Sequence, residues 1–236
     1  MIRALTLATV LSLCAAAVAA ECRQALALGL DVSGSVDARE YRLQMAGVAS
    51  ALDAAEVREK LMAMPAAPVR LMVFEWSGPA DQMIVVPWTV IDSAAALDGL
   101  IATLRATRRR DASPGTALGV AMNEGERHLR SQTACWKRTL DLSGDGKSNL
   151  GPRPRDVRTR LENSGITVNA LVIGVDNPDM GDIRQAEIAE LSSYFRAEVV
   201  LGPDSFVQTA IGYADYARAM TQKLVRELEG LVLSRL

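Results

Sequence analysis

The chain has 236 residues, with 26 basic and 28 acidic side chains, one histidine and three cysteines. Hydrophobic residues make up 49% and charged residues 23%, a globular balance that excludes a disordered chain. A net charge of only −2 argues against nucleic acid or an anionic lipid surface as the main partner.

Residues 1–20, MIRALTLATVLSLCAAAVAA, read as a secretory signal peptide. Arg3 precedes an apolar run from Ala4 to Val18, and Val18-Ala19-Ala20 places small residues just before Glu21. The run is short for a bilayer span. Cys14 follows Leu13, whereas a lipid-bearing cysteine follows a small residue. Residues 21–236 then suit a single α/β domain, exported to the periplasm or beyond and with no further membrane segment. Two cysteines remain, Cys22 and Cys135, and in an oxidising compartment they read most simply as a disulfide, with two separate buried thiols as the alternative. His128 is the only imidazole, which leaves no multi-histidine zinc site.

Ala25–Leu30 is a continuous apolar run ending at Asp31 and predicts a buried central strand. Residues 37–55 show helical spacing, with Tyr41, Met45, Val48 and Leu52 on one face and a capping-box start at Asp37 and Glu40. Val69–Trp76 predicts the next strand. Gly78-Pro79 marks a turn, and Met83–Val86 reads as an antiparallel partner that Pro87 assigns to the sheet edge. Helical spacing returns over 93–106 and 117–130, on either side of a polar loop from Arg108 to Gly115. Arg138–Leu142 predicts a strand that opens into Ser143-Gly144-Asp145-Gly146. Residues 154–163 read as a helix, Ile166–Ile173 as a buried strand, 183–193 as a short helix, 198–201 as a short strand and 208–232 as the last helix. This alternation predicts an α/β fold: a doubly wound, mostly parallel sheet with one antiparallel edge strand and helices on both faces.

Three segments at predicted strand ends carry the chemistry: Asp31-Val32-Ser33-Gly34-Ser35, Ser113-Pro114-Gly115-Thr116 and Asp141-Leu142-Ser143-Gly144-Asp145-Gly146. In an open parallel sheet, loops at the carboxyl ends of the strands converge on one crevice. The convergent set is carboxylates and hydroxyls, with no imidazole or thiolate. Such hard oxygen donors suit Mg²⁺, Mn²⁺ or Ca²⁺. Taken alone, an Asp-x-Ser-x-Ser segment is also a good helix N-cap.

Asp31, Ser33 and Ser35 resemble the DxSxS motif of the von Willebrand factor A (VWA) domain. Thr116 resembles the threonine of its second metal loop, and Asp145 the aspartate of its third. In that family the three loops form the metal-ion-dependent adhesion site (MIDAS). The resemblance spans about residues 24–232, and DVSGSVD, FEWSG and DLSGDGKSN resemble a group of secreted bacterial proteins of this fold with no established function. It implies that Ser33, Ser35 and Thr116 touch a metal directly, with Asp31 and Asp145 acting through water or from behind the ligands. The third loop departs from the usual pattern, with Ser143-Gly144 before the aspartate. Asp141 therefore competes with Asp145, which is favoured because it sits at the strand end. The implied sheet order makes the first strand and the strand before Asp145 parallel neighbours. That would bring Cys22 and Cys135 to equal depth at the end opposite the metal.

Other features are less specific. Arg108-Arg109-Arg110 reads as a solvated helix end or as a basic rim drawing acidic partners toward the metal. His128 lies some three turns beyond Thr116, about 18 Å along a helix, and reads as a packing or surface residue. Trp76 and Trp88 read as core or sheet-edge packing, and Gly174–Asp182 as a loop on the metal face. The expected function is a non-enzymatic, secreted binding module that grips a carboxylate on a protein partner through a divalent cation. A metal-assisted hydrolase and a metal-free scaffold are the alternatives. Against the hydrolase, no general base adjoins the metal loops, and no GxSxG or P-loop motif is present.

Overall fold

The structure is a computed structural model and describes residues 22–174 and 181–229. The expected signal peptide, most of the Gly174–Asp182 loop and the extreme C-terminus lie outside the described residues. A six-stranded sheet runs in the order β3-β2-β1-β4-β5-β6. Its strands are β1 (Cys22–Asp31), β2 (Val69–Trp76), β3 (Gln82–Ile91), β4 (Cys135–Gly144), β5 (Thr167–Ile173) and β6 (Val207–Ala210). All neighbours are parallel except β2 and β3.

The ten residues of β1 are all buried, as expected of a strand paired on both edges and covered on both faces. Alternate residues feed two cores. Leu26, Leu28 and Leu30 pack with α1 (Ala38–Asp53), α2 (Ala55–Met62), α3 (Ala94–Ala106) and α7 (Tyr216–Glu229). Ala25 and Ala27 face the other layer, formed by α4 (Leu118–Arg130), α5 (Pro154–Leu161) and α6 (Gly181–Glu198). The capping box at the start of α1 is present: Asp37 accepts from the amides of Arg39 and Glu40, and Glu40 accepts from the Asp37 amide. Pro87 lies on the edge strand β3, where the register shifts between Leu71 and Val73 and no ladder bond is asked of it.

Two sequence expectations are corrected at the C-terminal end. The segment 198–201 is not a strand; α6 runs on to Glu198, and Leu201 makes only an isolated bridge to Val168. The last strand is instead Val207–Ala210, inside the stretch expected to be helical, and α7 starts at Tyr216 after a 3₁₀ turn at Tyr213–Asp215. Val207 and Thr209 are β-branched and pair in parallel with β5, so tertiary pairing overrides the local pattern. α3 ends at Ala106, as expected, and Arg108–Arg110 lie in the following loop, one residue past its cap Thr107.

Cys22 and Cys135 stand opposite each other in the β1–β4 register and form a disulfide, with Cα atoms 4.3 Å apart. The bridge closes a sequence separation of 113 residues. On a chain-entropy account such a closure restricts the unfolded ensemble by about 4–5 kcal/mol, commonly reduced by native-state strain. Replacing both cysteines by serine should therefore lower unfolding stability by about 2–4 kcal/mol in urea titrations, with the metal loops at the other sheet end unaltered.

Asp141 lies within β4 on the face turned to α7, where it is fully buried. Lys223 Nζ stands 2.6 Å from its Oδ2 and 2.9 Å from Glu227 Oε1, and Asn169 Nδ2 donates to the same Glu227 oxygen at 2.7 Å. Burial raises the Asp141 carboxyl to about 7, with Lys223 opposing and Glu227 adding to the rise. The folded protein thus keeps a proton that the unfolded chain releases near pH 4. Its stabilising contribution is complete below about pH 4 and is lost as pH rises to about 7. Asp141→Asn should flatten that decline in urea midpoints measured between pH 4 and 8 in chelator.

Candidate metal centre

Asp31 ends β1, and the chain then turns sharply through Val32–Val36 into α1. The turn is pinned on both sides. The Val32 amide donates to the Trp76 carbonyl at 3.0 Å, and the Ser33 amide donates to Asp31 Oδ1 at 2.8 Å. Gln44 on α1 adds support, its Nε2 donating to the Asp31 carbonyl at 2.9 Å. The Gly34 amide reaches the Pro114 carbonyl at 3.1 Å, and a Cβ at Gly34 would sit 2.9 Å from that proline's Cβ. Glycine here lets the first and second loops touch.

The second loop places Thr116 one residue before the N-cap of α4. Its amide donates to Asn149 Oδ1 at 2.9 Å, while the Asn149 amide donates back to the Thr116 carbonyl at 2.9 Å. The third loop follows β4, so the parallel β1–β4 register brings Asp145 to the same end as Asp31.

The five expected residues converge. Thr116 Oγ1 donates to Ser33 Oγ at 3.4 Å, Ser33 Oγ and Ser35 Oγ are 3.2 Å apart, and Ser35 Oγ donates to Asp145 Oδ1 at 2.6 Å. Asp31, Ser33 and Thr116 are buried, whereas Ser35 and the adjoining Gly34 are exposed, so the cluster opens to solvent on the first loop. Asp31 Oδ2 is buried and has no hydrogen-bond partner. Burial, and next the charge of Asp145, raise the Asp31 carboxyl to about 8; the Ser33 N–H works in the opposite direction. Burial likewise raises Asp145. A buried carboxylate is costly to ionise, the more so with a second carboxylate close by.

This donor set fits a hard divalent cation: three clustered hydroxyls lie between Asp145, bonded to Ser35, and Asp31, whose Oδ1 accepts from Ser33 and whose Oδ2 has no partner. Among the described residues no group of three or more His, Cys, Asp or Glu side chains could hold a metal, so hydroxyls would have to supply much of any coordination. Asp141, the competing carboxylate, is turned to Lys223 and takes no part.

Two residues at the site carried no role in the sequence reading. Tyr213 donates to Asp145 Oδ2 at 3.1 Å, which leaves Oδ1 for Ser35. Its position was hidden because residues 208–232 read as one helix. Asn149 holds both backbone groups of Thr116, and only its place in the DLSGDGKSN stretch hinted at it.

The remaining candidates separate. Arg110 is not part of a rim: it pairs inward with buried Glu75 and with Asp81. Arg109 approaches the Val32 carbonyl at 3.5 Å, and Arg108 is exposed. His128 is buried on α4, 3.1 Å from Glu124 and with its ring 5.8 Å from that of Phe74. Trp76 is fully buried and Trp88 packs partly buried on the α4–α6 side.

The architecture is that of VWA-type domains. The vWF domain of the type V pili tip protein Mfa5 from Porphyromonas gingivalis superposes with a TM-score of 0.60 at 12% identity, over 92% of this chain and 99% of that one. A von Willebrand factor type A structure from Catenulispora acidiphila gives 0.59 at 13% identity, over 88% and 43%. Proximal thread matrix protein 1 from the mussel byssus, with a zinc-occupied MIDAS motif, gives 0.60 at 17% identity, over 89% and 48%. This chain thus spans about half the length of the mussel protein, and at such identities the likeness is one of fold. No curated protein matches the chain. Within this fold class, the chain belongs to the DUF1194 family, described as a protein of unknown function, whose profile matches residues 21–232.

Mg²⁺ or Mn²⁺ should raise the melting temperature through mass action on the folded state. Ser33→Ala and Thr116→Ala should abolish that rise without unfolding the protein. Tyr213→Phe should weaken metal affinity by about 10-fold or more, the usual effect of removing a residue that orients a ligand. Calorimetric titration checks all three.

Proposed function

We propose that this protein is a non-enzymatic, exported binding module that holds a divalent cation between Asp31, Ser33, Ser35, Thr116 and Asp145 and grips a carboxylate of a protein partner. The observation that carries the reading is the convergence of the Ser33, Ser35 and Thr116 hydroxyls with Asp145 at the end of β1, where the buried Asp31 keeps one oxygen unpartnered, open to solvent at Ser35. A cation bound there offers an electrophilic position that an outside carboxylate can complete. Ser33, Ser35 and Thr116 bring neutral oxygens, so only two carboxylates offset the divalent charge. Asn149 and the Gly34–Pro114 contact hold the hydroxyl loops in register, and Tyr213 fixes which Asp145 oxygen faces the serines.

The choice of metal is open between Mg²⁺, Mn²⁺ and Ca²⁺, and the zinc in the mussel protein's motif adds a fourth candidate to test. The disulfide supports an oxidising compartment, and among the described residues no helix is long and apolar enough to cross a membrane. Against hydrolysis stand two side chains that could carry a proton but are committed to other contacts. Tyr213 is committed to Asp145, with its hydroxyl held well above its usual range by burial and that carboxylate. His128 is held on α4 by Glu124 and Phe74.

Affinity capture from cell-envelope extract tests the reading. A specific partner should be retained in Mg²⁺, released by chelator or by excess of a small carboxylate, and not captured by Thr116→Ala. Turnover of any member of a phosphate-ester and carboxylic-ester panel, lost in Thr116→Ala, would replace the binding module with a hydrolase.

A further inference from the structure

A groove of about 760 Å³ lies between the first turns of α1 and the end of α3. Its floor is apolar, made by Met45 and Leu104, both nearly fully buried, with Tyr41 beside them. Its rim is cationic, carrying Arg42, Arg105, Arg108 and Arg109. The carboxylate groups nearby are already used. Arg105 is paired with Asp53 at 2.9 Å, Tyr41 donates to Glu75 at 2.5 Å, and Glu40 caps α1 through the Asp37 amide. Arg42 and Arg108 are exposed and have no ion-pair or hydrogen-bond partner among the described residues. Arg109 Nε is buried and unpartnered, although its Nη2 approaches the Val32 carbonyl at 3.5 Å.

That last contact ties the groove to the metal centre, since Val32 lies between Asp31 and Ser33. The groove starts at Ala38, three residues beyond Ser35, and runs down α1 to Ala46, about 12 Å at the helical rise. An extended peptide covers that length with about four residues.

We infer that this groove takes an acidic peptide segment of the partner, continuous with the carboxylate held at the cation. The inference rests on the function proposed above. Carboxylates at alternate positions would meet Arg42 and Arg108, the two exposed guanidiniums, while an apolar side chain between them lies on Met45 and Leu104. Charge complementarity selects the occupant. Arg42, whose nearby Asp37 is taken up in capping α1, and Arg108 flank one slot on a chain whose net charge is −2, which suits a short acidic stretch and not an extended polyanion.

The test uses a displayed random dodecapeptide library selected on the full protein in Mg²⁺. Enriched sequences should carry two or more Asp or Glu around an apolar residue. A synthetic peptide of that sequence should lose about tenfold in affinity on the Arg42→Ser/Arg108→Ser variant, whose exposed positions leave the core intact. Arg42→Lys/Arg108→Lys should recover most of it. Thr116→Ala should weaken the peptide yet keep the arginine dependence. Enrichment without acidic residues, unchanged affinity in the double serine variant, or equal binding of a DNA oligonucleotide or phosphatidylglycerol vesicles would overturn the groove assignment while leaving the metal reading intact. Arginine dependence with no effect of chelator or Thr116→Ala would sink the metal reading and retain the groove.

Discussion

The parallel pairing of β1 with β4 is the constraint on which the rest of the molecule hangs. One register places Cys22 opposite Cys135 at one end and, nine and ten residues later, Asp31 and Asp145 at the other. The covalent tie and the carboxylate pair are two readings of the same alignment. A slip of one residue would turn Leu26, Leu28 and Leu30 to the wrong core and carry Asp31 away from its partners. Register here is therefore enforced by apolar burial on two faces, and the site inherits its precision from the core.

The fold was largely legible in the chain. The apolar run before Asp31, the strand Val69–Trp76, the edge proline and the capping box at Asp37 each have a local physical signature, and each lies where expected. The DxSxS stretch, Thr116 and Asp145 were likewise visible as residue types at strand ends, and the resemblance to a known site added their roles. What escaped was decided by tertiary pairing. Val207–Ala210 is only four residues long and becomes a strand because β5 offers an edge. Misplacing it hid Tyr213, whose hydroxyl finds Asp145 from 68 residues away. Arg110 was misread for a related reason. Its partners Glu75 and Asp81 lie about thirty residues back in the chain, and no local pattern announces a non-local ion pair.

The interior also holds a file of polar side chains on one face of β4. Gln24 donates to Thr139, Lys223 sits between Asp141 and Glu227, and Ser143 meets Tyr216 at 2.9 Å. Tyr216 is stacked on Tyr213 with ring centroids 6.4 Å apart, and Tyr213 reaches Asp145. Buried polar groups arranged this way contribute little net stability compared with a well-packed apolar core, but each is costly to leave unpaired. They allow α7 one seating on the sheet, and that seating carries Tyr213 to the metal loops.

The 113-residue span between the bridged cysteines has a consequence for how the protein comes into being. A ribosome makes Asp31, Ser33 and Ser35 early and Asp145 more than a hundred residues later. Until β4 emerges, the first loop ends a strand with one open edge and no opposing carboxylate. A fragment that stops short of β4 contains Asp31, Ser33, Ser35 and Thr116 but lacks Asp145 and the strand that sets it opposite Asp31. Binding competence and completion of the sheet's centre are therefore a single event, and the sulfur bridge at the far end is its covalent record.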